Sequence, residues 1–220
     1  MGDLSGPSYS DRPTADSARA LRSLRWVLFL VSLPFSVLQF VLPLRGAELG
    51  APALEIGAMV SSFSLVTVLL RPLVGWGLDR IGRRRFLLGG VLGYALTMGL
   101  YLFIGTVRGM ILARAVQGVA SSLFWLSVRA MAADVATESA RATAFGRLDA
   151  ASSQGMSTGA IVGFALLQTL SFTQAWRISM GLSAIGAVTA LGLAWRALPE
   201  TGGQSIRQAE AADQAGDWMA

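Results

Sequence analysis

The stretch GLDRIGRRRFLLGG, residues 77–90, decides how the rest of the chain is read: one acid and four arginines fill a turn-sized segment with glycines at both ends. Upstream runs LVTVLLRPLVGW (65–76) and downstream VLGYALTMGLYLFIG (91–105), both almost free of charge. Charge confined to the joints between long apolar runs is what a bilayer selects, because a helix satisfies its own backbone in hydrocarbon. A soluble core has no need of that segregation.

Outward from this segment the pattern repeats. Of 220 residues, 53% are hydrophobic and only 14% charged, and the charges fall between apolar stretches. The formal charge of +5 would by itself permit a nucleic-acid partner. The basic residues, all of them Arg, stand instead at the ends of apolar segments, and no basic stripe is interleaved with aromatics, so no nucleic acid is expected. The chain has neither Cys nor His. Disulfides, the usual zinc ligands and His-based catalytic pairs are therefore excluded, and neither a metal nor a cofactor is expected.

Six apolar segments follow one another: 26–44, 56–78, 86–104, 110–133, 151–170 and 178–195. Each approaches the ~20 residues a helix needs to cross ~30 Å of hydrocarbon. They predict an all-α integral membrane protein with a six-helix bundle over 21–197. Segment 151–170 is the least greasy of the six. Residues 1–20 are polar and rich in Ser, Pro, Asp and Gly, which predicts disorder. From Ser17, Arg19, Arg22 and Arg25 recur every three residues, the spacing of a cationic helix lying on a membrane surface. The tail 198–220 is again polar. Twelve arginines flank the spans on the side of both termini and three (Arg45, Arg108, Arg177) on the other, so the positive-inside rule places both termini in the cytoplasm.

Polar groups inside the spans are costly and therefore informative. Arg114, Gln117, Ser121, Trp125 and Val128 recur at helical spacing in the fourth segment, with Arg114 well inside the apolar run. A structural reading makes Arg114 a snorkelling or paired cation; a functional one lets it face a water-filled cavity. Gln39 adds a polar group to the first segment, and Arg71, beside Pro72, is read as part of a kink. No acid lies near the middle of any segment. Gly155, Gly159 and Gly163, four apart, predict close helix packing. The same stretch, GMSTG (155–159), matches the serine-hydrolase pattern G-x-S-x-G, yet Ser157 lacks a strand-turn-helix setting and has neither His nor Lys as base.

With this layout the opening stretch resembles a known signature. Gly75, Asp79, Arg80, Gly82, Arg83, Arg84 and Leu87 match G-x-L-x-D-R-x-G-R-R-x-x-L, found between helices two and three of major facilitator superfamily transporters. Gly77 departs from it, standing where the signature has Leu. LARAVQG (112–118) is similar to the family's helix-four motif, AADVATESARATAFGR (132–147) to the stretch joining helices four and five, and AWR (175–177) and LPETGG (198–203) to the ends of helix six. The resemblance covers about residues 22–203.

It implies six transmembrane helices as one half of a major facilitator fold, two inverted three-helix repeats, in the drug:proton antiporter-like branch. The implied activity is secondary transport of a small solute across the inner membrane by alternating access, with protons as candidate coupling ion. In the family the Asp79 loop latches against the other half, which also makes a second six-helix half, own copy or separate chain, an implied partner beside the bilayer. Asp134, Arg141 and Asp149 are implied members of a cytoplasmic charge network. The family's antiporter signature on helix five, G-x-x-x-G-P-x-x-G-G, is altered here to Ala160 and Phe164, which weakens the antiport assignment. Two alternatives stand beside the transporter: an inactive truncated product, and a non-transporting six-span scaffold or enzyme.

Overall fold

In the computed structural model, residues 15–199 are described, and they form six helices: α1 (Ala15–Glu48), α2 (Ala53–Ile81), α3 (Arg83–Tyr101), α4 (Val107–Val135), α5 (Arg141–Thr169) and α6 (Phe172–Ala197). Each of the six apolar segments lies within one helix, apart from a few terminal residues. By length and composition α1, α2, α4 and α6 are able to cross a membrane. α3 is diluted by Arg83, Arg84 and Arg85 at its start, and α5 by its small and polar residues. Arg12, Arg207 and nearly all of the polar tail lie outside the described residues.

One boundary differs from the sequence expectation. Residues 15–20 are helical, and the arginine-bearing segment is the first part of α1 instead of a separate surface helix. Ala20, Leu24, Val27 and Leu28 are buried in the bundle at helical spacing, which holds the segment in line while Arg22 and Arg25 stay exposed.

The packing repeats itself. α1 pairs with α5 and α6, α4 pairs with α2 and α3, and α3 pairs with α6. Exchanging α1, α2, α3 for α4, α5, α6 turns this set of contacts into itself. The α1–α5 and α2–α4 pairs run parallel: Gly155 and Gly159 meet Phe29 and Leu33 in the same order, and Ser62 and Thr67 reach the carbonyls of Ile111 and Gly118. α3 runs antiparallel to α4, with Gly90 and Gly93 against Phe124 and Ala120. It also runs antiparallel to α6, with Arg84 at Trp195 and Tyr101 at Trp176. This is the pattern of two inverted three-helix repeats interlocked through their first and second helices.

Helices in lipid gain little from apolar burial against one another, so close contact must come from small residues. α5 supplies them. A Cβ on Gly155 would stand 2.4 Å from the Phe29 carbonyl oxygen, and one on Gly159 2.2 Å from that of Leu33. Between these glycines and the α5 start, Ser152 hydrogen-bonds Ser32 at 3.1 Å.

Gly77 has a similar local cause. A Cβ there would meet Phe86 Cζ at 2.4 Å, so the ring at the start of α3 occupies the room a larger residue would need. Gly77→Leu should therefore destabilise the bundle by ~1–3 kcal/mol. Thermal unfolding in detergent should show most of that loss recovered in the double variant Gly77→Leu/Phe86→Ala; equal loss in single and double variants would reject the pairing.

Candidate functional site

Two groupings of charged and amide side chains stand out in the bundle. The first begins on α4, about two turns and ~10 Å from its start. Arg114 is 1% exposed and has no ion pair among the described residues. Its Nη1 donates to Gln117 Oε1 at 2.8 Å and its Nη2 to Gln39 Oε1 on α1 at 3.2 Å. The guanidinium also lies 4.9 Å over the Phe63 ring of α2.

Around it are donors that remain unused. Arg114 Nε, Gln117 Nε2 and the hydroxyls of Tyr94 and Tyr101 are buried without a hydrogen-bond partner. Tyr94 and Tyr101 come from α3 and are held by edge contacts with Phe124 and Trp176. Gln39, in contrast, is exposed. The node therefore runs from a buried cation to the open face of α1. Trp125, half-buried and about three turns beyond Arg114 on α4, packs edge-on against Phe124 at 5.6 Å between ring centres. An unpaired buried cation ringed by donors favours an acceptor or an anionic group, and the neighbouring aromatic faces favour apolar surface.

The second grouping is the α2–α3 turn, which is a single residue long. Gly82 carries it at φ 103, a left-handed conformation that only glycine adopts without strain. The turn throws Arg83 back between two acids: Asp79 Oδ1 at 3.6 Å and Asp134 Oδ2, at the end of α4, at 2.8 Å. Asp134 is thus the closer partner, and Asp79, with 61% of its side chain exposed, is held loosely. Arg80 stacks over Trp76 at 4.5 Å, and Arg84 donates to the Trp195 carbonyl and lies 5.4 Å over its ring. A Cβ on Gly75 would meet nothing within 4 Å.

Among the described residues, Arg141 and Asp149 make no ion pair with this turn or with each other. Arg141 donates to the Ala133 carbonyl at 3.4 Å, and Asp149 pairs with Arg129 at 3.4 Å. Asp134, Arg141 and Asp149 therefore make three separate contacts instead of one network. Arg71 is exposed. Ser157 is exposed on an uninterrupted stretch of α5, not on a strand-to-helix turn. Gly155, Gly159 and Gly163 are buried. The sequence alone did not single out Tyr94, Tyr101, Phe63 or Arg129. The i, i+7 spacing of the two tyrosines was the available signal.

Comparisons with known proteins agree with this geometry. The Major Facilitator Superfamily model matches residues 26–219. The multidrug efflux pump LfrA of Mycolicibacterium smegmatis is 32% identical over 163 residues, 74% of this chain and 32% of that protein. Multidrug resistance protein 1 of Bacillus subtilis is 29% identical, over 62% of this chain and 34% of that protein. The chain spans about a third of the length of these curated relatives. Among solved structures, the human organic anion transporter MFSD10 (TETRAN) superposes with a TM-score of 0.69 at 20% identity, covering 84% of this chain and 48% of that one. The D-xylose-proton symporter gives 0.64 at 17% identity, covering 92% and 52%.

Proposed function

The chain belongs to the major facilitator superfamily, and from that membership we propose that its six helices form one wall of a secondary transporter that exports a small, largely apolar solute across the cell inner membrane. Both termini face the cytoplasm, in keeping with the distribution of arginines. The opposing wall comes from a second six-helix unit, in the same polypeptide, in another copy or in a separate chain.

The observation that carries this reading is the buried Arg114, without an ion pair among the described residues and tied to an exposed Gln39 across α1 and α4. Keeping an unpaired cation inside an apolar bundle is costly. The cost is offset when the group meets solute acceptors in a cavity and, as the cavity alternates, exchanges water for solute. The relatives named for multidrug efflux and resistance support a drug-like solute and export as the direction. Protons are the candidate coupling ion.

The α2–α3 turn serves as a latch. Gly75 leaves α2 open to close approach, and Asp79 keeps most of its carboxylate free for a donor on the opposing wall. Arg83 and Asp134 brace the turn against α4. Release and re-formation of the Asp79 contact accompany opening and closing of the cytoplasmic gate.

The test pairs the chain with a second six-helix unit in proteoliposomes and follows export of a fluorescent lipophilic dye under an imposed pH gradient. Asp79→Asn should reduce the rate at least ~10-fold, since loss of a charge-assisted hydrogen bond costs ~1.5–3 kcal/mol, with insertion and orientation unchanged. Absence of flux in every pairing overturns the transporter reading; unchanged flux in Asp79→Asn overturns the latch alone.

A further inference from the structure

A cavity of about 520 Å³ opens at the arginine-rich end of the bundle, where α1 and α5 begin. Arg22 and Arg25 enter it from α1 and Arg147 from α5, with the hydroxyls of Thr137, Ser139 and Thr143 between them. The start of α5, whose first turn has no capping side chain, adds the positive end of a 29-residue helix.

No acid answers these charges among the described residues. Asp16 pairs with Arg19 and Asp149 with Arg129, and Glu138 does not line the cavity. Arg22 and Arg25 are also three residues apart on one helix face, where like charges repel. A site that gathers three cations with no counter-charge among the described residues favours an anion.

A second cavity, about 360 Å³, shares Arg22 and Arg25 and continues along the α1–α5 seam past Trp26, Phe29 and Ala151. Trp26, 57% exposed, sits where the charged part of α1 gives way to its apolar run, the level at which aromatic rings mark the membrane interface. A cationic chamber thus shares Arg22 and Arg25 with a neighbour whose wall adds Trp26, Phe29 and Ala151 beside Gln154. A free phosphate would fill only the first; an amphiphile would fill both.

We propose that these two adjacent cavities bind an anionic phospholipid, its phosphate held by Arg22, Arg25 and Arg147 and the upper part of an acyl chain lying against Trp26 and Phe29. Basic pockets between helices at the cytoplasmic surface are suited to such headgroups. Bound there, the lipid bridges α1 and α5 at the end where their contact is cationic, and stabilises the pair. Only membrane placement is required for this site; no step of transport is.

The test titrates the full chain, purified in neutral detergent, with phosphatidylglycerol, phosphatidylcholine or glycerol phosphate, reading retained lipid by native mass spectrometry and stability by thermal unfolding. Phosphatidylglycerol alone should be retained and should raise the unfolding temperature. Each of Arg22→Gln, Arg25→Gln and Arg147→Gln should weaken it about fivefold, and the triple variant about a hundredfold, while Arg22→Lys keeps most of the affinity. Equal protection by glycerol phosphate would make this a soluble-anion site and overturn the lipid assignment. Equal retention of both lipids, or unchanged binding in the variants, would overturn the site itself. If the triple variant does not fold, the three-ligand comparison on the unmodified chain and the single Arg25→Gln variant decide.

Discussion

Arg114→Met abolishes export and leaves the bundle at least as stable as before. The two halves of this expectation come from one fact: among the described residues no carboxylate pairs with a cation that is 1% exposed. A charge in the middle of a membrane helix costs ~2.5–3.5 kcal/mol on insertion scales. Its compensation here is limited to two amide oxygens and the Phe63 face. Replacing an incompletely compensated buried ion by an apolar residue of similar volume is often neutral or stabilising by ~1–4 kcal/mol. A purely structural arginine would behave in the opposite way, since its loss would lower the unfolding temperature. Arg114→Lys separates charge from shape: lysine keeps the cation but cannot reach Gln117 and Gln39 with two nitrogens at once. It should recover a small part of the flux. Full export in Arg114→Met, measured in the same proteoliposomes, would remove this residue from the mechanism.

Gly159→Leu should give a chain that inserts but does not assemble. A Cβ at this position would stand 2.2 Å from the Leu33 carbonyl oxygen and 2.5 Å from Ser36 Oγ, and the first of these is backbone that cannot rotate away. α5 must then retreat from α1 along its length, and the Ser32–Ser152 hydrogen bond and the glycine contacts are lost together. Even Gly159→Ala should cost ~1–3 kcal/mol by overpacking. The control is Gly181→Ala on α6, where an added Cβ meets nothing within 4 Å and helix propensity predicts a gain of ~1 kcal/mol or less. Size-exclusion profiles and thermal unfolding in detergent distinguish the two; similar behaviour of the two Ala variants would show that the α1–α5 seam is not close-packed.

Much of this architecture is legible in the chain because the bilayer imposes simple rules on it. Helix number follows from apolar length, and the α2–α3 turn from Gly82 and its charges, since each requirement is local. The family resemblance placed Asp79 and Gly82 at that turn for the same reason. Pairings are another matter. Arg83 prefers Asp134 over its near neighbour Asp79 only because the repeats bring the end of α4 against the turn. Arg129 finds Asp149 across α4 and α5, leaving Asp134, Arg141 and Asp149 in separate contacts that charge spacing does not reveal. Tyr94 and Tyr101 look like ordinary aromatic residues of a span until packing buries their hydroxyls. The start of α1 was hidden for a compositional reason: polar residues around Arg19 mask the apolar stripe of Ala20, Leu24 and Val27.

The interlocked pairing of repeats sets a clock on biogenesis. Ser32 and Ser152, which touch across α1 and α5, are 120 residues apart. At about 5–20 residues per second, α1 waits about 6–24 s in the membrane before its principal partner is synthesised. Throughout that interval it displays Ser32 and Ser36 to lipid or to the insertion machinery, whereas Gln39 meets Arg114, 75 residues on, once α4 is made, and α4 gains α2 and α3 as neighbours as soon as it emerges. The second repeat therefore starts life beside its helices, and the first helix made is among the last to be seated.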